Sequence, residues 1–430
     1  MFLFLFCLVQ LSDVSFGQKL DRIERELAET MLKNVSDDVY KNYFDPTLHG
    51  LDWDSRVNEA KANIGNSRDM AEANAQIEGL FELLHDSHTA FIPPRNLITV
   101  DYGWRFKIIG NHTYVTEVRA GSDAEKKGVH PGDEVLTING FRVDRASAPM
   151  LQYAMNVYVP RSSVDVTLRE PEGKALDLRL IASLTKHSAV AGLGGSSWYS
   201  NEVRIRAEDA RKEAQAEYME LSPDLAVIRI PAFSQIGYDV DDLFAKVRSH
   251  KMLIIDLRGC PGGTVPSLHA FLGHIFNHDV SVGKLVERGK VTPQTVRETK
   301  KNAFLGDLIV LVDSETASAG EIFARVVQLQ ERGTILGDHT SGRTMESIFM
   351  PHKTGINPVY YYGAFVTIAD TVMADGKSLE HIGVEPDRTF LPTPADMSAH
   401  RDPVLSYAAN LLGIQLTPEN AAKLFARESP

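Results

Sequence analysis

The stretch LIVLVDSETASAGEIF, Leu308 to Phe323, runs from an unbroken apolar segment through small residues into a helical pattern. An apolar run without alternation is the mark of a strand buried on both faces, so Leu308 to Val312 reads as a central strand and about Ala317 to Gln330 as the helix after it. The same unit recurs outward along the chain. Leu225 to Ile230 and Met252 to Leu257 are further continuous apolar strands, the second preceded by a helix from about Asp241 to Ser249, and a short strand falls near Ile335-Leu336. Helices near Pro403 to Leu412 and Pro418 to Arg427 follow. Strands alternating with helices in this way predict an α/β core with a largely parallel sheet.

Ser318 stands where that helix begins, at a point where unpaired N–H groups converge and can stabilise a nearby oxyanion. The plainer alternative is that Ser318 or Thr316 caps the helix. LRGCPGG, Leu257 to Gly263, also follows directly on an apolar strand. Its paired glycines let the backbone approach another group closely, which makes Gly262 or Gly263 a candidate donor to the same oxyanion; a simple strand-to-helix turn is the alternative. HDSHTAF, His85 to Phe91, supplies an imidazole, the side chain best matched to deprotonating a serine near neutral pH. His88 is nonetheless one of 14 histidines, and by itself it marks nothing.

The rest of the chain divides by pattern. Ile23, Leu27, Met31 and Leu32, and later Ile77, Leu80, Phe81 and Leu84, recur at helical spacing, predicting a helical region that ends at His85-Asp86. From about Asp101 to Ser183 short strands take over: Tyr114 to Thr116, Glu134 to Ile138 and Val164 to Leu168, with a helix at Ala148 to Val157. Asn139-Gly140 between apolar residues predicts a tight turn in which both positions have positive φ. A formal net charge of -12 argues against a sequence-independent grip on nucleic acid, which needs cationic side chains. The apolar run Met1 to Leu11 is too short to span a bilayer, so no stable membrane span is expected. With Ser15 and Gly17 before a cleavage point it predicts a signal peptide over residues 1–17 and an exported protein. No Lys or Arg precedes the run, and a mis-assigned start or a buried N-terminal strand are the alternatives. Removal of Cys7 with that segment would leave Cys260 alone, with no intrachain disulfide.

Taken in order, D-S-H-T at Asp86 to Thr89, the strand-rich insert, L-R-G-x-P-G-G at Leu257 to Gly263, T-A-S-A-G-E at Thr316 to Glu321 and G-V-E-P-D at Gly383 to Asp387 resemble the tail-specific, or C-terminal processing, serine protease family over nearly the whole chain. The resemblance implies an N-terminal helical region (18–96), an inserted PDZ domain (97–184) and a crotonase-like α/β protease core (185–430). It implies a serine endopeptidase with Ser318 as nucleophile and the Gly263 and Ala319 amides as oxyanion donors, acting on peptides or unfolded proteins through their C-termini, with no metal or organic cofactor. In the family's serine-lysine branch the base is a Lys that aligns here with Arg343, and guanidinium does not deprotonate in proteins. Ser87-His88 instead matches the Ser-His pair of the branch typified by the tricorn core protease, with Glu380 where that branch places its Glu and Glu385 as a nearby alternative. Arg343 is then left to bind a substrate carbonyl or carboxylate, or to pair on the surface.

The insert resembles a PDZ domain most clearly over Ala120 to Val143, and by position Gly103, Trp104, Arg105 and Phe106 fall in its carboxylate-binding loop, with a lid or spacer as the alternative role. A non-catalytic binder of peptides or hydrophobic ligands on the same fold is the rival reading, supported by the change at Arg343. A lipid or ester hydrolase using the same serine is a third. Cys260 is expected to be a buried turn residue.

Overall fold

The computed structural model describes residues 19–94, 98–145, 147–155, 161–186, 215–234, 239–298, 303–356 and 359–425. The expected signal peptide lies outside the described residues. Among them, no helix is long and apolar enough to cross a membrane.

Six strands form the central sheet in the order Glu217–Ser222, Leu225–Arg229, Met252–Asp256, Asp307–Val312, Thr334–Gly337 and Arg388–Thr389. The first pair is antiparallel and every later pair parallel. The apolar runs are continuous because both faces are covered. Ala226, Ile228, Leu253, Ile255 and Val310 pack with the helices Val240–Val247, Val265–Gly273 and Ala319–Leu329, while Leu225, Val227, Ile254 and Leu311 pack with Pro403–Leu411 and Pro418–Lys423. Each such side chain contributes on the order of 1.5–3 kcal/mol when fully buried.

A second, antiparallel sheet was not foreshadowed by the strand signals. Its path runs Ala90–Ile92, Tyr360–Met373, Val280–Glu287, Lys290–Val296, with Glu346–Thr354 along the other side of the long strand. Its members are half-buried and rich in polar residues, so no apolar run announces them. The helices Arg22–Asn42, Trp53–Ile64 and Met70–Phe81 cover it, with Met31, Leu32 and Val35 against Tyr362, Ala364 and Val366. Asp21, Asp52 and Asp69 cap these three helices by accepting from their first-turn amides.

Between these parts sits a small module with its own core: strands Trp104–Ile109, His112–Val118, Glu134–Ile138, Ser163–Arg169 and Ala175–Ile181 in that order, with Phe141–Arg142 against the third. Asn139 (φ 49°) and Gly140 (φ 80°) form the expected tight turn. Ile98–Asp101 pairs with Ser183–Lys186, bringing the two ends of the module together. The module rests on the central sheet's loops. Lys107 Nζ lies 2.5 Å from Asp313 and 2.9 Å from Glu315, Ser314 Oγ donates to the Ile108 carbonyl, and the Gly110 amide donates to Asp338.

Arg258, inside the LRGCPGG turn, locks the C-terminal helices to the sheet. Its guanidinium donates at 2.7–2.9 Å to both oxygens of Asp256 and of Asp402, the residue that caps Pro403–Leu411. Removing one member of a buried pair strands the others. Arg258→Ala is therefore expected to cost about 3 kcal/mol, measurable as a lowered midpoint in urea unfolding.

Candidate active site

Ser318 occupies the N-cap of the helix Ala319–Leu329 with φ 52° and ψ -120°, a conformation that a non-glycine residue holds only under strain on the order of 1–3 kcal/mol. Ser318 is the N-cap residue and has with Glu321 the reciprocal arrangement of a capping box, Glu321 accepting from the Ser318 amide, but its hydroxyl closes no cap hydrogen bond. The Glu321 amide donates to the Ser318 backbone carbonyl, and Thr316 Oγ1 is engaged between the Asp313 amide and the Leu257 carbonyl. The Ser318 amide donates to the Arg343 carbonyl at 2.8 Å and reaches Glu321 Oε2 at 3.1 Å.

Glu321 went unremarked in the sequence beyond its place in the motif, although a charged residue in an apolar helix start was the available signal. Fully buried, its carboxylate also accepts from Thr340 Oγ1 at 2.5 Å, the Gly342 amide at 2.7 Å and the Arg343 amide at 2.9 Å. Burial raises its pKa; the four donors work in the opposite direction without cancelling that effect.

The LRGCPGG turn packs directly against the serine. A side chain at Gly262 (φ 103°) would place its Cβ 2.5 Å from Ser318 Cβ, and one at Gly263 (φ 147°) would meet the Phe233 carbonyl at 2.0 Å. Only glycine lets these segments approach so closely. Among the described residues, neither the Gly263 nor the Ala319 N–H has an acceptor within the protein. Cys260 is buried as expected, and burial pushes its thiol up to about 12.

His88 enters from the other side. Asp86 Oδ1 accepts from the amides of His88 and Thr89 at 2.8 and 2.7 Å and from Thr367 Oγ1 at 2.8 Å, which pins the turn to the long strand. Ser87 Oγ lies 2.7 Å from His88 Nδ1 and 3.0 Å from Glu380 Oε2. Glu380 also accepts from the Ser87 amide at 2.7 Å and the Thr344 amide at 2.9 Å. Glu385, the alternative, points elsewhere, 3.8 Å from His339.

A carboxylate only accepts, so the one hydroxyl proton of Ser87 goes to Glu380 and Ser87 Oγ accepts from Nδ1–H; Nε2 is left as the basic nitrogen. The imidazole is linked to Ser318 through the 340–344 loop rather than by a direct hydrogen bond. Arg343 carries that link, its carbonyl on the Ser318 amide and its guanidinium donating to the Ser87 carbonyl at 3.2 Å.

A cleft of 2190 Å³ runs past these groups. Ser87, His88 and Arg343 line it, and so do Gly103, Trp104, Arg105 and Phe106 of the small module; Ser318, half-buried, is not itself among its lining residues. Within the expected carboxylate-binding loop one donor is already taken, since the Gly103 amide donates to Asp101 Oδ1 at 2.7 Å.

Burial, reinforced by the positive charge of Arg343 and opposed by Asp86, pushes the His88 pKa down to about 4. The imidazole is therefore neutral through the whole physiological range. NMR titration should show it protonating only near pH 4, and Arg343→Gln should move that midpoint upward, toward the ordinary value near 6.5.

Comparison with known proteins places this geometry among relatives. Residues 224–390 match the family model described as peptidase family S41. Carboxyl-terminal-processing peptidase 3, chloroplastic, of Arabidopsis thaliana is 23% identical over 394 residues, covering 87% of this chain and 70% of that protein. The carboxyl-terminal-processing protease of Synechocystis sp. is 22% identical over 361 residues, covering 81% and 78%. Among solved structures, mature CPAF complexed with lactacystin shares the fold with a TM-score of 0.65 at 14% identity, over 88% of this chain and 96% of that one.

Proposed function

From the premise that the chain belongs to peptidase family S41 and is a serine-type peptidase, we propose that it hydrolyses peptide bonds through an acyl-enzyme on Ser318, with His88 as general base. The observation that carries this is the relay Glu380–Ser87–His88, whose hydrogen-bond directions leave Nε2 free to take a proton. In the first step Ser318 Oγ bonds to the scissile carbonyl carbon, its proton passes to His88 Nε2, and the carbonyl π electrons move onto oxygen. The Gly263 and Ala319 amides, both without internal acceptors, receive that oxyanion; a single such donor is worth on the order of 10²–10³ in rate. Collapse expels the amine, which takes the proton from His88. Water then attacks the ester carbonyl with His88 again accepting the proton; the second intermediate collapses with cleavage of the bond to Ser318 Oγ, which takes that proton from His88, and the acid product leaves.

Ser87 and Glu380 orient the imidazole and support its transient charge, in the manner of a triad with a hydroxyl interposed. Arg343 opposes that charge, and its place on the cleft wall suits it to hold a substrate carbonyl or carboxylate. The small module is a PDZ domain in this reading, receiving an extended peptide along a strand edge beside the cleft. The apolar N-terminal run serves as an export signal. Because Asp101 already occupies the Gly103 amide, chain-end recognition by the loop is weak, and substrates are gripped mainly through backbone and side chains.

A fluorophosphonate probe tests the centre. Labelling should vanish in Ser318→Ala, fall by on the order of 10² or more in His88→Ala, and persist in Arg343→Ala. An unlabelled wild-type protein would instead mark a non-catalytic binder. Casein cleavage against a panel of short-chain esters separates a peptidase from an ester hydrolase. For the loop, amidating a substrate's C-terminus should leave kcat/KM nearly unchanged, whereas Asp101→Ala, which frees the Gly103 amide, should make a free carboxylate advantageous; a strong wild-type preference for the free acid would contradict the role given to Asp101.

A further inference from the structure

Beside His88 the antiparallel sheet presents an apolar patch that the hydrolytic groups do not use. Ala90 is paired with Phe365, and Phe365 on its other side with Phe349; in the next row Ile92, Gly363 and Pro351 stand opposite one another. Residues directly opposite in paired strands project to the same face, so Ala90, Ile92, Phe365 and Phe349 share one surface. The intervening Phe91, Ala364 and Val366 project the other way and are fully buried beneath the N-terminal helices.

Phe349 and Phe365 are each 40% exposed, with ring centroids 5.1 Å apart and planes tilted by 46°. Gly363 makes this possible. A Cβ there would sit 2.8 Å from Cε2 and Cζ of Phe349, so the missing side chain lets that ring lie down on the strand beside Phe365. Ser347 and Lys353, on the same face of the same strand, are polar; Ser347 pairs with Thr367 in the row between the aromatic pair and the Asp86–His88 turn, so the aromatic pair is bounded on both sides by polar residues. Phe365, Ala90 and Ile92 line the cleft that His88 and Arg343 also line.

Resting on the peptidase reading above, we propose that Phe365 and Phe349, together with Ile92, form the subsite that receives a bulky apolar side chain of the bound peptide close to the scissile bond. Spacing supports this. Ala90, where the strand begins, is two residues from His88 and so at most about 7 Å along the chain, no more than the interval between same-side side chains of a bound strand. A peptide whose reacting carbonyl is within reach of His88 therefore delivers a side chain one or two residues away onto the aromatic pair. Phe365 on the cleft wall, backed by the ring of Phe349, gains apolar contact from a Leu, Met or Phe side chain and nothing from Ser or Asp. A purely structural role, with the rings shielding Gly363, would predict no such discrimination.

The test uses the full chain and a peptide set varied among Leu, Phe, Ala, Ser and Asp at each of three positions on either side of the cleaved bond. The wild type should favour Leu or Phe over Ser at one position. In Phe365→Ala the Leu-to-Ser ratio of kcat/KM at that position should fall about tenfold, Phe349→Ala should reduce it less, and Phe365→Leu should retain most of it. An equal loss on every peptide, or a ratio that survives Phe365→Ala, would overturn the subsite. Should the wild type cleave none of the peptides, the hydrolytic reading fails separately. The same ratio is then read as Kd by fluorescence anisotropy in a Ser318→Ala background, where its loss on adding Phe365→Ala supports the subsite and its persistence overturns it.

Discussion

One buried carboxylate organises the candidate site. Glu321 lies in the first turn of the helix that Ser318 opens, yet three of its four donors come from residues 340 to 343. An ionised group without solvent is costly unless its oxygens are matched, and here the matching donors belong to a separate segment. Folding the helix start therefore requires the 340–344 loop to be in place. The same loop holds the strained Ser318 backbone through the Arg343 carbonyl and reaches Glu380 through the Thr344 amide. Serine, relay and loop are in this sense a single unit.

The second half of the unit is set by the antiparallel sheet. Asp86 ties the turn carrying Ser87 and His88 to Thr367 of the long strand, and Ala90 continues from that turn into pairing with Phe365. The imidazole is thus mounted on one sheet and the hydroxyl on another, with Glu380, reached soon after the long strand ends, closing the circuit. Burial and Arg343 together keep that imidazole neutral, which leaves it able to accept a proton and opposes a permanently charged ion pair, at the cost of basicity. In the proposed reaction its proton arrives only as an oxyanion develops to offset it.

The small module is tied to the same loops. Lys107 pairs with Asp313 and Glu315 a few residues before Ser318, and Arg145 donates to Asp338 and to the His339 carbonyl just before the 340–344 segment. Lys107 is half-buried, and its carboxylate partners more than offset the cost of that burial, raising its pKa. The module is therefore seated by charged groups on the loops that hold the site, rather than by an apolar interface alone.

The unbroken apolar strands, the helix starts after them and the Asn139-Gly140 turn were legible in the chain itself, because buried parallel strands and tight turns leave local signatures; Ser318 and His88 were candidates by residue type, and Ser87 and Glu380 were singled out only by the family resemblance. The antiparallel sheet was not, since half-exposed strands such as Val280–Glu287 and Glu346–Thr354 mix polar and apolar residues according to partners far away in the sequence. The sequence by itself determined which residue types could do the chemistry and that the core would be α/β. Only the tertiary structure decided that Glu380 rather than Glu385 meets Ser87, that Glu321 is an anchor rather than a surface charge, and that Phe365, paired with Phe349, lines the same cleft as His88. Each of those outcomes depends on chain segments up to hundreds of residues apart being brought within hydrogen-bond or van der Waals range, and no local pattern encodes such a distance.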